Sequence, residues 1–394
     1  MKLIHTSDWL LGSRFHGYYR MEEQAHFLHW LRDLLVEREP DVLLISGDIF
    51  DGPVCSDAAE TLFYDFLHQA VTDLPGLKVF YASGSHDSPS RLGAFRPLLS
   101  DRGIEACAAM ECTPKGELLG DLLIFPLAER NQTDAQVLLL VVPRWSSSGS
   151  SLASPSLMLR RINELQQLAV RRYGNRLPLL LLSHFLPDEV DCSAFSMPVA
   201  YGALGGSHCA QEVSGKGCFH DCGSPWPLSF DEVGATRGVN WVELQGDGVR
   251  VEQVEYVPLR SFLTLPETGG ATFSEALQLL EKLPKRRGGE PDAGAPYLQL
   301  CVSEPHPDAS MVDRLLQSVT TRNVRLCRML SVDADGSRRS YPVSDESLQL
   351  PQPALLARSL YQNTYGEEMP DALARLFAMA KRQSSASDAA SSPF

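Results

Sequence analysis

The segment LLISGDIFD, residues 43–51, carries the pattern that decides the predicted fold. It begins with an unbroken apolar run, which is typical of a strand buried on both faces of a sheet. Gly47 follows the run, and two carboxylates, Asp48 and Asp51, come directly after it. A buried strand that ends in glycine and acidic residues indicates a sheet whose carboxyl edge carries polar chemistry.

Other apolar runs and turns of the chain are followed by Asp or His in the same way, at Asp8, His86, His184 and His208. In an open α/β sheet, ligands bind beyond the carboxyl ends of the strands, so we expect these side chains to converge on one site. Carboxylates combined with imidazoles suit Mn²⁺, Fe²⁺ or Zn²⁺. A pair of such ions suits the hydrolysis of phosphoesters, with a nearby histidine as the proton donor.

Periodicity along the rest of the chain supports an α/β fold. Apolar residues at helical spacing predict helices over residues 21–38, 59–71 and 157–173. The apolar runs at 122–125 and 137–142 predict further strands of the same sheet. After residue 260 a compact β-α-β-α-β pattern begins. We therefore expect a phosphoesterase-like domain at 1–260, a small α/β domain at 261–345, a helical segment at 346–383 and a disordered tail at 384–394.

Composition restricts the possible partners. The chain has 394 residues, with 35 basic and 49 acidic side chains and a formal net charge of −14. This balance argues against a protein that binds nucleic acid through bulk electrostatics alone, and contact with a polyanion requires metal ions, a local basic strip or a basic partner. Nine cysteines without a CxxC pair predict reduced thiols in a cytoplasmic protein. We expect no signal peptide and no membrane span.

Six segments, in their order along the chain, resemble the D subunit of the SbcCD nuclease, which belongs to the calcineurin-like metallophosphoesterases. They are HTSDWLLG at 5–12, LLISGDIFD at 43–51, VFYASGSHDS at 79–88, LSHF at 182–185, ALGGSHCAQ at 203–211 and CGSPWPLSFDE at 222–232. The resemblance implies a sandwich of two mixed sheets flanked by helices, a small capping domain and a late helical segment that docks on an SbcC-like ATPase.

The same resemblance implies an activity and its requirements. The family cleaves duplex DNA ends and hairpins in repair and recombination, with Mn²⁺ as the metal and Mg²⁺ as an alternative. Its partner is an SMC-type ATPase, and the subunit forms a homodimer within a heterotetramer.

Three family ligand positions are substituted in this chain. Leu10 and Gly206 stand where the family has histidine, and Ser85 stands where it has asparagine. Carried over, the resemblance leaves Asp8, Asp48 and His208 for a first ion. It leaves Asp48 and His184, with Ser85 as a weak substitute, for a second ion, and His86 as the proton donor or transition-state stabiliser. Loss of a supporting residue already costs about 10- to 100-fold in metal affinity or activity. We therefore predict a weakly bound first ion and a largely empty second site in the absence of DNA.

Several alternatives stay open from the sequence. His5, His16, His220 and Cys209 are candidates to replace the lost ligands, although His5 lies inside a predicted strand and fits the core better. We favour an SbcD-like subunit with reduced or lost phosphodiester hydrolysis. One alternative is a fully active Mn²⁺-dependent duplex exonuclease and hairpin endonuclease. Another is a phosphoesterase that acts alone on small nucleotides.

Overall fold

The computed structural model describes residues 1–144, 155–246, 248–303, 309–333 and 338–340, together with Pro370. The chain divides into two compact units. The first unit contains residues 1–262 and 292–296. The second contains residues 263–291 and the described residues from 297 onward. The predicted helical segment at 346–383, apart from Pro370, and the predicted tail at 384–394 lie outside the described residues.

The first unit is built from strands and helices that alternate over most of its length. Its strands are β1 (Lys2–Thr6), β2 (Arg14–Phe15), β3 (Tyr18–Tyr19), β4 (Val42–Ile45), β5 (Lys78–Ala82), β6 (Ile104–Cys107), β7 (Ile124–Leu127), β8 (Val137–Val142), β9 (Leu179–Ser183), β10 (Val199–Leu204), β11 (Gln211–Val213), β12 (Gly217–Asp221), β13 (Gly238–Gln245) and β14 (Gly248–Glu255). Its helices are α1 (Met21–Arg38), α2 (Asp57–Asp73), α3 (Pro89–Gly93), α4 (Arg96–Leu99) and α5 (Pro155–Tyr173).

Two six-stranded sheets form the centre of this unit, with the orders β14-β13-β1-β4-β5-β6 and β11-β12-β10-β9-β8-β7. Strands β1, β4, β5 and β6 are parallel, and β13 joins β1 in the antiparallel sense. In the second sheet β12, β10, β9 and β8 are parallel, while β11 and β7 are antiparallel edge strands. Both sheets are therefore mixed, and each has parallel central strands whose carboxyl ends share one edge.

Alternation along each strand divides the apolar residues between two faces. In β4, Leu44 lies in the core between the two sheets, whereas Leu43 lies in the core beneath α1 and α2. In β9, Leu182 joins the core between the sheets, and Leu181 faces the outer core that includes Ile162 of α5. The predicted fold class, a sandwich of two mixed sheets flanked by helices, is confirmed.

The expectation that residues 122–142 extend the sheet of β4 is wrong. β7 pairs with β8, and β8 pairs with β9, so this stretch belongs to the second sheet. The apolar run of β8 is buried on both faces. Such a run predicts a central strand but carries no information about which sheet contains it.

The second unit has its own core. It contains α6 (Phe273–Glu281), β16 (Tyr297–Val302), α7 (Ala309–Thr320), β17 (Arg325–Val332), β18 (Arg338–Ser340) and β15 (Phe262–Leu265), whose first residue belongs to the first unit. The strands form one sheet in the order β15-β16-β17-β18. Side chains of α6, such as Leu280, and of α7, such as Leu315, pack in one cluster with Leu300 of β16.

Two features of the whole chain bear on its surroundings. The nine cysteines are free thiols. Among the described residues, no helix has the length and apolar character that crossing a membrane requires.

The core between the two sheets contributes to the stability of the first unit. Leu182→Ala removes a fully buried side chain from this core and is expected to lower the free energy of unfolding by about 2–5 kcal/mol. Leu98→Ala, at a side chain that is 71% exposed, is the matched control and should change it by less than about 0.5 kcal/mol. Urea denaturation of both variants measures the difference, and equal losses would contradict the assigned core.

Candidate metal centre

The carboxyl ends of β1, β4 and β9 bring Asp8, Asp48 and His184 together. One potential ligand atom from each side chain lies within 4.8 Å of the others. All three side chains are buried. Of the described side chains, these three form the group of His, Cys, Asp and Glu that could hold a metal ion.

Backbone hydrogen bonds continue the pairing of β1 and β4 past the ends of the strands. The N–H of Asp8 donates to the carbonyl of Gly47 at 3.0 Å, and the N–H of Leu10 donates to the carbonyl of Asp48 at 3.0 Å. Gly47 has a φ of 97°, and a Cβ there would lie 2.7 Å from Nδ1 of His184. The glycine is therefore required both by the turn and by the close approach of the imidazole.

Asp48 is the most heavily bonded carboxylate of the centre. Its oxygens accept the N–H of His86 at 2.8 Å and the hydroxyl of Ser85 at 3.0 Å, and Nε2 of His184 lies 3.3 Å away. Burial alone would raise the pKa of Asp48, but the hydrogen bond and charge of His184 and the N–H of His86 hold it well below its usual range. Asp48 is therefore ionised and available as a ligand.

His184 is oriented by the main chain. Its Nδ1 lies 2.7 Å from the carbonyl oxygen of Ser46, which can only accept, so Nδ1 carries the proton and Nε2 faces Asp48. Metal-binding histidines are commonly held by such a hydrogen bond on the second nitrogen. Burial lowers the pKa of His184, but the hydrogen bond to Asp48 and the charges of Asp48 and Asp8 raise it to about 9. A proton and a cation therefore compete for Nε2.

Asp8 shows that the residues present fit a divalent cation. Its Oδ2 accepts the N–H of Gly206 at 3.1 Å, whereas its buried Oδ1 has no hydrogen-bond partner. Burial, followed by the charges of Asp221 and Asp48, raises the pKa of Asp8 to about 7 despite the opposing charge of His184. An unpartnered buried carboxylate oxygen is costly, and a bound cation would satisfy it.

The histidine that the sequence predicts as proton donor lies at the opening of the centre. His86 is 44% exposed, and its Nε2 lies 3.9 Å from Oδ2 of Asp48. Its Nδ1 lies 2.9 Å from the carbonyl oxygen of Asp51. The next residue, Asp87, accepts backbone N–H groups from Gly84, Ile49 and Phe50, so it joins the loops after β4 and β5.

The three substituted family positions all lie at this centre. Leu10 is buried and donates its N–H to the carbonyl of Asp48, so an apolar residue stands at a position where the resemblance implies a ligand. The hydroxyl of Ser85 is engaged by both oxygens of Asp48, at 3.0 and 3.3 Å. A side chain at Gly206 would begin 3.3 Å from Nε2 of His184.

His208 lies outside the group of three, and its assignment as a ligand stays a prediction. Its carbonyl oxygen accepts hydrogen bonds from Arg237 at 2.7 Å and from the N–H of Ser224 at 3.0 Å. Burial lowers its pKa, while the charges of Glu232 and Asp48 oppose that change. The imidazole is therefore near enough to Asp48 to respond to its charge.

The candidate replacement ligands have other partners. Both ring nitrogens of the buried His5 are hydrogen bonded, to the hydroxyls of Tyr201 at 2.9 Å and Ser46 at 2.8 Å. His220 stacks on Tyr201, and His16 packs against Phe15. Cys209 is half-buried. Across the described part of the chain, none of the four candidates joins the metal-capable group.

One carboxylate of this region was not predicted from the sequence. Asp221 ends β12 and is 1% exposed. Its oxygens accept the N–H groups of Ser207 at 3.0 Å and Gly223 at 2.9 Å. Its position at a strand end was the available signal, but the short strands of this stretch gave no clear pattern from which to assign it.

Comparison with known proteins agrees with the resemblance found in the sequence. Residues 1–191 match the family described as Calcineurin-like phosphoesterase. The D subunit of the SbcCD nuclease from Rhodobacter capsulatus is 29% identical over 358 residues, which cover 83% of this chain and 86% of the relative. The corresponding protein from Escherichia coli K12 is 28% identical over 284 residues, covering 65% and 67%. A third, from Bacillus subtilis, is 36% identical over 104 residues, covering 26% of each.

The unpartnered Oδ1 of Asp8 leads to a prediction about pH and metal. The pKa of Asp8 in the folded protein is about 7, above its ordinary value of 3.8. The protonated carboxyl group therefore stabilises the fold at low pH, and this contribution is lost as the pH rises from 3.8 to about 7. Asp8→Asn carries no such charge and is expected to raise the melting temperature above pH 7 in EDTA. It should also remove the additional stabilisation that MnCl₂ gives the parent protein.

Thermal melts at pH 5 and pH 8, with EDTA and with MnCl₂, measure both effects. Asp65→Asn, at an exposed carboxylate of α2, is the control and should behave as the parent. A variant at Asp8 that melts below the parent at both pH values, or that keeps the Mn²⁺ shift, would contradict the assignment.

Proposed function

Because this chain carries a calcineurin-like phosphoesterase domain and resembles the D subunit of the SbcCD nuclease, we propose that it is the corresponding subunit of a complex that processes DNA double-strand ends and hairpins. We further propose that its own phosphodiester hydrolysis is reduced or lost. The observation that carries the second proposal is the ligand set, since the structure groups three potential metal ligands and the substituted positions surround them.

The residues present would hold one divalent cation through Asp8, Asp48 and His184. We propose Mn²⁺, with Mg²⁺ as the alternative, because carboxylate and imidazole donors suit Mn²⁺. When bound, such a cation supplies positive charge at a phosphate and lowers the pKa of water. The chain's own residues do the rest: the carbonyl of Ser46 orients His184, and His86 presents an imidazole at the opening, where a leaving oxygen takes up a proton.

The substituted ligand positions weaken the binding of a first ion and of a second ion. The side chain of Leu10 offers no lone pair, and Gly206 has no side chain to offer one. Ser85 donates to Asp48 and therefore draws electron density from the carboxylate that two ions would have to share. Three donors hold a divalent cation only when water or a phosphate oxygen completes the coordination sphere. A second ion has fewer donors still, so we propose one weakly held ion for each chain.

Charge makes a partner necessary for contact with DNA. Asp8, Asp48 and Asp221 are buried close to one another, and His184 forms an ion pair with Asp48. A centre that is not filled by metal therefore repels phosphate, in a chain whose formal net charge is already −14. We propose that an SbcC-like ATPase supplies the DNA-binding surface, within a heterotetramer that contains two copies of this chain.

The fully active nuclease is the second candidate. The exposed His86 beside Asp48, and the intact contact between Asp48 and His184, favour it because these groups would serve hydrolysis directly. Under this alternative, DNA phosphate oxygens replace the missing ligands. The two candidates differ in the activity of the parent protein, which a single assay measures.

Restoring the ligands is expected to raise activity. In a cleavage assay on a hairpin duplex with Mn²⁺, Leu10→His with Ser85→Asn should raise the rate at least about 10-fold over the parent. The bound Mn²⁺, measured by elemental analysis, should rise from one ion towards two ions for each chain. Gly206→His is added as a separate step, because its φ of 118° strains any side chain at that position.

The assay has a clear control and a clear contradiction. Asp48→Ala added to the restored variant should abolish cleavage, which shows that the activity belongs to this centre. Robust cleavage by the parent, lost in Asp48→Ala, would overturn the proposal of reduced hydrolysis and establish the active alternative. Cleavage of small nucleotides but not of DNA would favour the phosphoesterase that acts alone.

The partner proposal depends on residues 346–383. Truncation after residue 350 is expected to abolish co-purification with an SbcC-like ATPase while leaving the melting transition of the first unit unchanged. Truncation after residue 383 removes only the predicted tail and serves as the control. Co-purification that survives the first truncation would contradict the proposed docking segment.

A further inference from the structure

The loop between β10 and β11, residues 205–210, lacks a ligating side chain at Gly206 but still contacts the metal centre through its backbone. The N–H of Gly206 donates to Oδ2 of Asp8 at 3.1 Å. The other oxygen of Asp8, Oδ1, is buried and without a hydrogen-bond partner. One N–H of the loop therefore decides which oxygen of Asp8 remains available for a cation.

Asp221 holds this loop from the end of the neighbouring strand. Its side chain is 1% exposed. One oxygen accepts the N–H of Ser207, the residue after Gly206, and the other accepts the N–H of Gly223. Within the described residues, no Lys, Arg or His forms an ion pair with Asp221, so a buried negative charge stays uncompensated beside Asp8.

Arg237 fixes the other side of the same loop. It is 4% exposed and donates to the carbonyl of His208 at 2.7 Å, and the N–H of Ser224 donates to the same oxygen at 3.0 Å. The loop is thus held at Ser207 by a carboxylate and at His208 by a guanidinium. Its left-handed residues, Gly206 at 118° and His208 at 59°, are kept in place by these contacts.

We infer that Asp221 is a positioning residue of the metal centre, which acts through Ser207 to hold the N–H of Gly206 on Asp8 and leaves the second oxygen of Asp8 for a divalent cation. Its buried charge adds to the attraction for that cation, since like charges held together in a buried site favour a bound positive ion. This inference rests on the proposed cation site and adds to it a residue outside the ligand set.

The chain offers a matched control in Asp41. This carboxylate is also buried, at 9% exposure, and also accepts two backbone N–H groups, from Lys2 at 2.7 Å and Arg130 at 2.9 Å. It immediately precedes β4, at the opposite end of the strand from Asp48. Replacing either Asp by Asn should therefore cause a similar loss of backbone support, but only Asp221 acts on the metal centre.

The test measures Mn²⁺ affinity by electron paramagnetic resonance and amide exchange by mass spectrometry on the purified full chain. Asp221→Asn is expected to weaken Mn²⁺ binding about 10- to 100-fold and to accelerate exchange in the peptide that covers residues 205–210. Asp41→Asn should change Mn²⁺ affinity by less than about twofold and leave exchange in that peptide unchanged. This holds even if it lowers the melting temperature as much as Asp221→Asn does.

The other outcomes distinguish failure of the positioning role from failure of the proposed cation site. Equal losses of affinity in the two variants, or unchanged affinity in Asp221→Asn, would overturn the positioning role and leave the cation site intact. A parent protein that binds no Mn²⁺ would overturn the proposed cation site and this role with it. Where Asp221→Asn does not fold, Ser207→Pro, which removes the same N–H, replaces it, with Ser207→Ala as its control, and the same affinities decide.

Discussion

The contact between Asp48 and His184 is the interaction on which the whole site depends. Nε2 of the histidine lies 3.3 Å from the carboxylate, and it joins the end of β4 in one sheet to the end of β9 in the other. The carbonyl of Ser46 fixes the opposite ring nitrogen at 2.7 Å. Because the two sheets meet here through buried charged groups, their relative placement and the geometry of the centre are set together.

The carboxylates of the centre carry more negative charge than the neighbouring side chains of the protein neutralise. His184 compensates Asp48, but Asp8 keeps a buried oxygen without a partner, and Asp221 adds a further buried charge nearby. A structure that only needed stability would be served better by neutral side chains of similar shape. The surplus of negative charge therefore supports the proposed cation site. It also explains why the net charge of the chain does not describe its local behaviour, since a bound cation reverses the sign at the centre.

Apolar periodicity predicted the helices and strands well, because the residues that determine each of them lie within a short stretch of sequence. Helix α1 spans residues 21–38 as its apolar spacing predicts, and its C-cap Glu39 precedes Pro40, which cannot continue a helix. The grouping of Asp8, Asp48 and His184 followed from their positions after strands. Three features could not be predicted from the sequence. They are the place of β7 and β8 in the second sheet, the inclusion of residues 292–296 in the first unit and the contact of Asp221 with the N–H of Ser207. Each depends on pairing between distant segments, which apolar periodicity does not encode.

The backbone of the site is strained at four residues that are not glycine. Asp8, Leu10, Asp48 and His208 all have positive φ values, a conformation that costs non-glycine residues roughly 1–3 kcal/mol each. Leu10 keeps a φ of 44° because its N–H is held by Asp48 and its carbonyl oxygen by Gln24 of α1. Leucine has no preference for this conformation, so the strain is imposed by these hydrogen bonds to its backbone. Under the proposed loss of a histidine ligand at this position, the chemistry of the site differs while its backbone keeps the same strained conformation, and a histidine introduced there would enter a backbone already in place.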